Sequence, residues 1–211
     1  MRLNLVLIGP PGSGKGTQAV RIAQRYGIPH ISTGDILRKA VRDGTPLGRL
    51  VEETLRSGGL VSDDLMTDLV RARLAESDIA AGFVLDGFPR TIAQAEALDE
   101  MASPLVVVLI AAADEEIVRR LGKRRVCKAC SITQSVLVDT DEQLDPCPYC
   151  GGQLIRRADD HPDTVRHRLT MYASFAEPII GFYRSRERFG SVDGLQHPEQ
   201  VTAALVTILG R

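Results

Sequence analysis

The sequence predicts an α/β domain: a doubly wound parallel sheet of about five strands with helices on both faces. Three observations carry this expectation. Strand-like and helix-like patterns alternate along the chain. The run Val106-Val107-Val108-Leu109-Ile110 is apolar without alternation, as expected of a strand covered on both faces. The first apolar run also passes through a glycine-rich turn straight into an amphipathic pattern. A length of 211 residues suits one such domain with an insertion or one small added module, and is ample for a sizeable core.

Taken in order, Leu3–Ile8 reads as a buried strand and 15–26 as an amphipathic helix, with a short strand at 29–32. Helices are expected at 35–43, 46–57 and 62–75, with no sheet strand across 33–61. Gly82–Asp86 is the next strand, followed by a helix at 91–101, a strand at 105–110 and a helix at 114–122. Asp114, Glu115 and Glu116 suit the positive end of that helix. Residues 123–160 contain all four cysteines and several short β-like runs. A long helix is expected over 163–187, with Asp163 as its cap and Pro178 kinking it near the middle. A strand at 191–193 and a helix at 198–209 complete the chain. The stretches 33–61 and 123–160 interrupt the alternation and read as excursions able to close over bound ligands.

Composition excludes several classes. Lys plus Arg number 26 against 27 Asp plus Glu, a net charge of −1, so a polyanion-coating role is disfavoured and any basic site must be local. No apolar run approaches 18 residues, so no membrane span is expected. The first apolar run is six residues long and enters the glycine turn directly, which reads as a core strand and not a signal peptide; the expected compartment is the cytoplasm.

The strongest motif is Gly9-Pro10-Pro11-Gly12-Ser13-Gly14-Lys15-Gly16-Thr17. Glycines let several backbone N–H groups converge on one anion, the helix N-terminus adds partial positive charge, and Lys15 adds a full one. Strand, loop and helix together imply a P-loop and a nucleoside triphosphate. One position departs from the usual G-x-x-x-x-G-K-[ST] pattern: Gly16 stands where the hydroxyl should be, and Thr17 follows one place later. That argues against switch GTPases and against ATPases that hold Mg²⁺ through that hydroxyl.

A second constellation is Leu85-Asp86-Gly87-Phe88-Pro89-Arg90. Asp86 ends an apolar strand on the sheet edge where ligands of open α/β sheets bind, and can order the water shell of Mg²⁺. Arg90 follows on the loop and can reach a phosphate as a fork donor. The plain alternative is a capping Asp and a surface Arg. Ser32-Thr33-Gly34-Asp35-Ile36-Leu37-Arg38 places another Arg one helical turn beyond a polar cap, again readable as an ordinary cap and a solvated helix residue. Later arginines, Arg120, Arg124, Arg125, Arg156, Arg157 and Arg168, suggest more phosphate charge than one triphosphate carries, although Arg156 and Arg166 read as solvated.

The pairs Cys127-x₂-Cys130 and Cys147-x₂-Cys150, sixteen residues apart, have zinc-knuckle spacing. A closed structural site is expected. A disulfide or a redox pair is the alternative, but cytosolic thiols stay reduced and a redox Cys-x-x-Cys is more often single and at a helix start. His161 and His167 read as solvated.

The motifs at 9–17, 32–38 and 86–91, Arg124-Arg125-Val126, Arg157-x-Asp159-Asp160 and Val192-Asp193-Gly194 run in order over nearly the whole chain, and together they resemble the adenylate kinase family. In that family the Gly16-Thr17 arrangement is normal. The resemblance implies transfer of the terminal phosphoryl of ATP to AMP, giving two ADP, with Mg²⁺. It implies a core of 1–31, 62–122 and 161–211, an AMP-binding helical segment at 32–61, and a zinc-stapled lid at 123–160. By similarity Gly12, Ser13, Gly14, Lys15, Gly16 and Thr17 cradle the ATP phosphates. Arg120, Thr133, Gln134 and Gln196 lie toward its nucleoside, and Arg124 contacts its phosphates. Thr33, Arg38, Gly59, Leu60, Val61, Gly87, Phe88, Pro89, Arg90 and Gln94 hold AMP. Arg157 and Arg168 reach the transferring phosphoryl and the acceptor, while Asp86 orders the Mg²⁺ hydration shell. Lys15, Arg90, Arg124, Arg157 and Arg168 are the expected catalytic set, and Asp159 and Asp160 steady the closed lid. The resemblance also implies a monomer with no nucleic-acid or membrane partner.

Two positions depart from relatives with this lid. Gln134 stands where an aromatic is common, and Gly122-Lys123-Arg124 separates the hinge glycine from the Arg pair. The nearest rivals are a nucleoside monophosphate kinase for another acceptor, a GTP-using relative, and a zinc-ribbon nucleic-acid-binding ATPase. The last is disfavoured by near-neutral charge and few aromatics for base stacking.

Overall fold

In a computed structural model, residues 2–137, 144–186 and 189–210 are described. The strands are β1 (Leu3–Ile8), β2 (His30–Ser32), β3 (Gly82–Asp86), β4 (Val106–Ala111), β5 (Arg124–Cys127), β6 (Thr133–Ser135), β7 (Leu154–Ile155) and β8 (Phe189–Asp193). The helices are α1 (Lys15–Tyr26), α2 (Thr33–Arg42), α3 (Pro46–Ser57), α4 (Asp63–Leu74), α5 (Ile92–Ala102), α6 (Asp114–Gly122), α7 (Pro162–Arg184) and α8 (Pro198–Leu209).

Five strands form one parallel sheet in the order β2-β3-β1-β4-β8. The period-2 alternation of side chains divides β1 between two cores. Leu5 and Leu7 face α1 and α8 through Ala19, Ile22, Val201 and Leu205. Val6 and Ile8 face the other layer, where Met66, Val70, Leu98, Ile179 and Tyr183 pack. Both faces are thus covered, which is why the central strands read as unbroken apolar runs. The chain first winds to one side of β1, toward β3 and β2, and then to the other, toward β4 and β8. This reversal places a ligand crevice at the carboxyl ends of β1 and β3.

Local chemistry sets the element boundaries. Ser32 accepts the Asp35 N–H at 3.3 Å, so α2 starts at Thr33, two residues earlier than expected. Thr91 caps α5 in the same way. Asp163 is not the cap of α7: Pro162 takes the first helical position, where its missing N–H costs nothing, and Asp163 falls in the first turn paired with Arg166 at 2.6 Å. The helix runs unbroken through Pro178, which lies on the C-terminal side of its middle, and closes at Arg184; position 187 lies outside the described residues.

The cysteine-bearing segment forms a separate three-stranded antiparallel sheet, β6-β5-β7. Its small core is Cys127, Cys147 and Leu154 with Val136 and Leu144 against them. Positions 138–143 of this segment lie outside the described residues.

Candidate active site

The glycine loop leaves β1 in a conformation that side chains resist. Gly9 has φ of 147°, and a Cβ there would lie 2.4 Å from the Ile110 carbonyl oxygen. Gly14, at φ of 100°, turns the chain into α1. The Lys15 ammonium folds back over this turn and donates to the Gly9 and Pro10 carbonyls at 2.8 and 2.7 Å. Burial lowers its pKa to about 8; Asp86 opposes the shift, while Arg90, Arg168 and Arg124 add to it. Ser13 is buried with its hydroxyl unpartnered among the described residues.

Sheet register brings the second constellation alongside. Asp86 pairs with Leu7 of β1 and Ser32 of β2, so it stands between the loop and the start of α2. Its carboxylate lies 3.7 Å from where a Cβ on Gly16 would sit. Arg90 is anchored by its Nε to the Gly87 carbonyl at 2.9 Å, and its backbone N–H donates to Gln94 Oε1 at 2.7 Å. Burial, with Arg168 nearby, lowers the Arg90 pKa to about 10, so it remains cationic at pH 7.

Four more arginines converge from four separate stretches of the chain. Arg124 at the start of β5 makes a bidentate pair with Asp160, its Nε at 2.7 Å. Arg168 of α7 reaches Asp159 Oδ2 at 2.9 Å and Asp160 Oδ1 at 3.4 Å. Arg38 of α2 holds Asp35 at 2.5 Å and lies 3.7 Å from Asp159. Arg157 donates to Thr133 Oγ1 at 2.7 Å and lies 3.6 Å from Asp35. Burial lowers the Arg157 pKa to about 10, helped by Arg38 and Arg124. A turn of 3₁₀ helix at Ala158–Asp160 presents both acids to these guanidinium groups.

Together the loop and these side chains line one cleft of about 1190 Å³. Gly12, Ser13, Gly14, Lys15, Gly16, Thr17, Asp86, Gly87, Phe88, Pro89, Arg90, Arg120, Arg124, Thr133, Gln134, Arg157 and Gln196 all border it. Thr33, Gly59, Val61 and Gln94 border a smaller adjoining pocket, and Arg38, Leu60, Arg90 and Arg168 border both. Asp35, Asp159 and Asp160 offset part of this concentrated positive charge, and the excess favours an anionic occupant.

A family model described as adenylate kinase matches residues 7–188. An adenylate kinase from Archaeoglobus fulgidus is 43% identical over 212 residues, covering 98% of each chain. One from Trichlorobacter lovleyi is 46% identical over 213 residues, covering 97% of this chain and all of the relative. One from Kosmotoga olearia is 46% identical over 205 residues, covering 95% of each. The chain belongs to the adenylate kinase family. It is accordingly a nucleoside monophosphate kinase, and the family reaction is reversible phosphoryl transfer between ATP and AMP.

In this adenylate kinase-family chain the four cysteine sulfurs lie within 4.8 Å of one another. Cys127 and Cys150 sulfurs are 3.4 Å apart, and those of Cys130 and Cys147 are 3.7 Å apart. A tetrahedron with Zn–S bonds of about 2.3 Å has edges of about 3.8 Å, so the residues fit zinc. No disulfide joins them.

Several supporting residues escaped sequence reasoning. Asp63 receives both Gln94 Nε2 at 2.7 Å and Thr91 Oγ1 at 2.8 Å, which fixes the glutamine beneath Arg90. Asp35 joins Arg38 to Arg157. Glu116 and the Gly194 carbonyl hold Arg120 at 2.7 and 2.8 Å. The Glu116–Arg120 spacing of four and the Asp35–Arg38 spacing of three were readable helix signals; the others join residues distant in sequence and left none. Gln134 borders the cleft, yet its amide donates to Cys147 Sγ at 3.8 Å, toward the cysteine cluster. At Gly122-Lys123-Arg124, Lys123 caps α6, and buried Arg125 donates to the Gly122 carbonyl at 2.7 Å.

Proposed function

We propose that this cleft transfers the terminal phosphoryl of ATP directly to AMP by placing two anions in line and neutralising their charge. The observation that carries the reading is the convergence of Lys15, Arg38, Arg90, Arg124, Arg157 and Arg168 on one space, held meanwhile by backbone carbonyls and by Asp35, Asp159 and Asp160. AMP already offers an anionic oxygen, so no general base is required. The work is positioning and electrostatic stabilisation.

On this reading Gly12 to Thr17 cradle the ATP phosphates, with Lys15 and Arg124 as their cations. Arg120 and Gln196 border the adenine of ATP, with Thr133 and Gln134 nearby. Arg38 and Arg90 hold the AMP phosphate, and Thr33, Gly59, Leu60, Val61 and Gln94 line its nucleoside, with Gly87 to Pro89 forming the floor. Arg157 and Arg168 stand between the two nucleotides. When phosphates enter they displace the carboxylates from these guanidinium groups, exchanging one set of charge-assisted bonds for another. Burial makes each such bond stronger than in water and excludes hydrolysis.

Asp86 offers a hard carboxylate beside the loop and would order the Mg²⁺ hydration shell; the ion would supply charge neutralisation to the phosphates. The four cysteines would hold zinc as a closed structural site that staples the small sheet. The division into core (1–31, 62–122, 161–211), AMP segment (32–61) and lid (123–160) follows from the same reading, as do a monomeric state and a cytoplasmic setting.

The test is ADP formation in a coupled assay, with ATP and GTP compared as donors and AMP, CMP, UMP and GMP as acceptors, each with and without Mg²⁺. Mg²⁺-dependent activity strongest with ATP and AMP is expected. Equal use of another acceptor, or nucleic-acid-stimulated hydrolysis without AMP, would overturn it.

A further inference from the structure

One face of α2 carries Asp35, Arg38 and Arg42 at spacings of three and four, a single stripe of the helix. Each of them meets the cysteine module. Asp35 approaches Arg157, which is itself bonded to Thr133, and Arg38 approaches Asp159. At the outer end Arg42 Nη1 donates to Ser131 Oγ at 2.9 Å, a contact between residues 89 positions apart. The inner contacts use groups already assigned to phosphates, and nucleotides will rearrange them. Ser131 borders the cleft but Arg42 does not, and the serine hydroxyl accepts from Arg42 on α2, so this bond can persist with both nucleotides in place.

Ser131 is itself unusual. Its φ is 61°, and among the described residues it is the one non-glycine in the left-handed region. A side chain there is strained, and glycine would fit without cost. The turn is pinned on both sides, because Ser131 donates its N–H to the Cys127 carbonyl at 2.9 Å and Cys127 donates to the Ile132 carbonyl at 3.0 Å. The Cα–Cβ bond of Ser131 is thereby held in place, and its hydroxyl meets Arg42 of α2.

We propose that Arg42 and Ser131 are positioning residues: a clasp between α2 and the tip of the cysteine knuckle that couples the binding of the two nucleotides. The proposal rests on the two-nucleotide reading above. The bond exists only when the AMP segment and the lid are both in place, so closure of either one favours closure of the other. Such linkage is reciprocal: it tightens AMP in the presence of an ATP analogue, and the analogue in the presence of AMP, by one factor.

The experiment measures, by calorimetry on the full-length zinc-loaded protein, AMP and a non-reactive ATP analogue each alone and each with the other saturating. Wild type, R42A, S131A, the R42A/S131A double variant and S131G are compared. Removing either partner should lower the coupling factor about threefold, as for one exposed charge-assisted bond, with single-nucleotide affinities unchanged. The double variant should lose no more than either single variant. S131G relieves the strained turn and should keep its zinc and melt no lower than wild type, yet lose coupling equally; this separates the clasp from mere knuckle stability. Unchanged coupling in R42A, or additive losses in the double variant, overturns the clasp alone. A wild type that binds neither nucleotide overturns the functional reading, and the clasp with it.

Discussion

Lys15→Met gives a sharp test of how the loop stores charge. A lowering from the ordinary 10.5 to about 8 means that the fold favours the neutral amine by about 3 kcal/mol. Methionine removes that cost but also removes the donations to the Gly9 and Pro10 carbonyls, worth about 1 kcal/mol each. The nucleotide-free variant should therefore be about 1 kcal/mol more stable than wild type at pH 7, a gain of about 2–4 °C in Tm. The sign with pH follows from linkage. Between about pH 8 and 10.5 the unfolded chain holds a proton that the folded chain has released, so this group's contribution to stability rises with pH. The variant lacks that rise, and its advantage should shrink and then reverse by pH 10, a swing of up to about 3 kcal/mol. Urea unfolding of both proteins at pH 7, 8, 9 and 10 reads this difference while other titrating groups cancel. A difference that stays flat with pH would refute the account of a strained, desolvated ammonium. The same variant should lose at least about a hundredfold in ADP formation, since the stored charge is what meets the phosphates.

Arg90→Ala should lower ADP formation by about 10²–10³-fold, with the melting temperature within a few degrees of wild type, because the side chain points into the cleft; unchanged activity in the coupled assay would remove it from the site. Gly9→Ala should destabilise by about 2 kcal/mol or more in denaturant melts, since its Cβ meets the Ile110 carbonyl at 2.4 Å. Gly16→Ala has only Asp86 nearby, at 3.7 Å, and should fold normally; its effect should appear in Mg²⁺-dependent activity alone. Metal removal by a strong chelator should speed proteolysis and amide exchange within 124–155 while the parallel sheet keeps its protection, which mass spectrometry of fragments would read.

Much of this molecule is written in local patterns. The apolar strands, the glycine loop and the helices from α1 to α8 follow from periodicity, caps and burial, because β1 and β4 must be apolar on both faces and an amphipathic helix must cover each face. The misplacements are local too. Pro162 displaced Asp163 from the cap of α7, and Ser32 began α2 two residues early. The long-range partners were harder to place: Asp63 meets Thr91 and Gln94, Asp35 meets Arg157 and Asp160 meets Arg124, each from another stretch of the chain.

The sequence alone determined the chemistry available: a phosphate-gripping loop, an excess of arginine at particular places, and four thiols at metal-binding spacing. Those follow from residue type and short spacing, which a linear chain states directly. Only the tertiary structure decided that Arg38, Arg90, Arg124, Arg157 and Arg168, drawn from five separate stretches, surround one cleft with Lys15. It also decided which carboxylates hold them and that Ser131 reaches Arg42. Those are long-range pairings, fixed by sheet register and by how α2, α7 and the small cysteine sheet come together over the carboxyl ends of β1 and β3, and no local pattern encodes them.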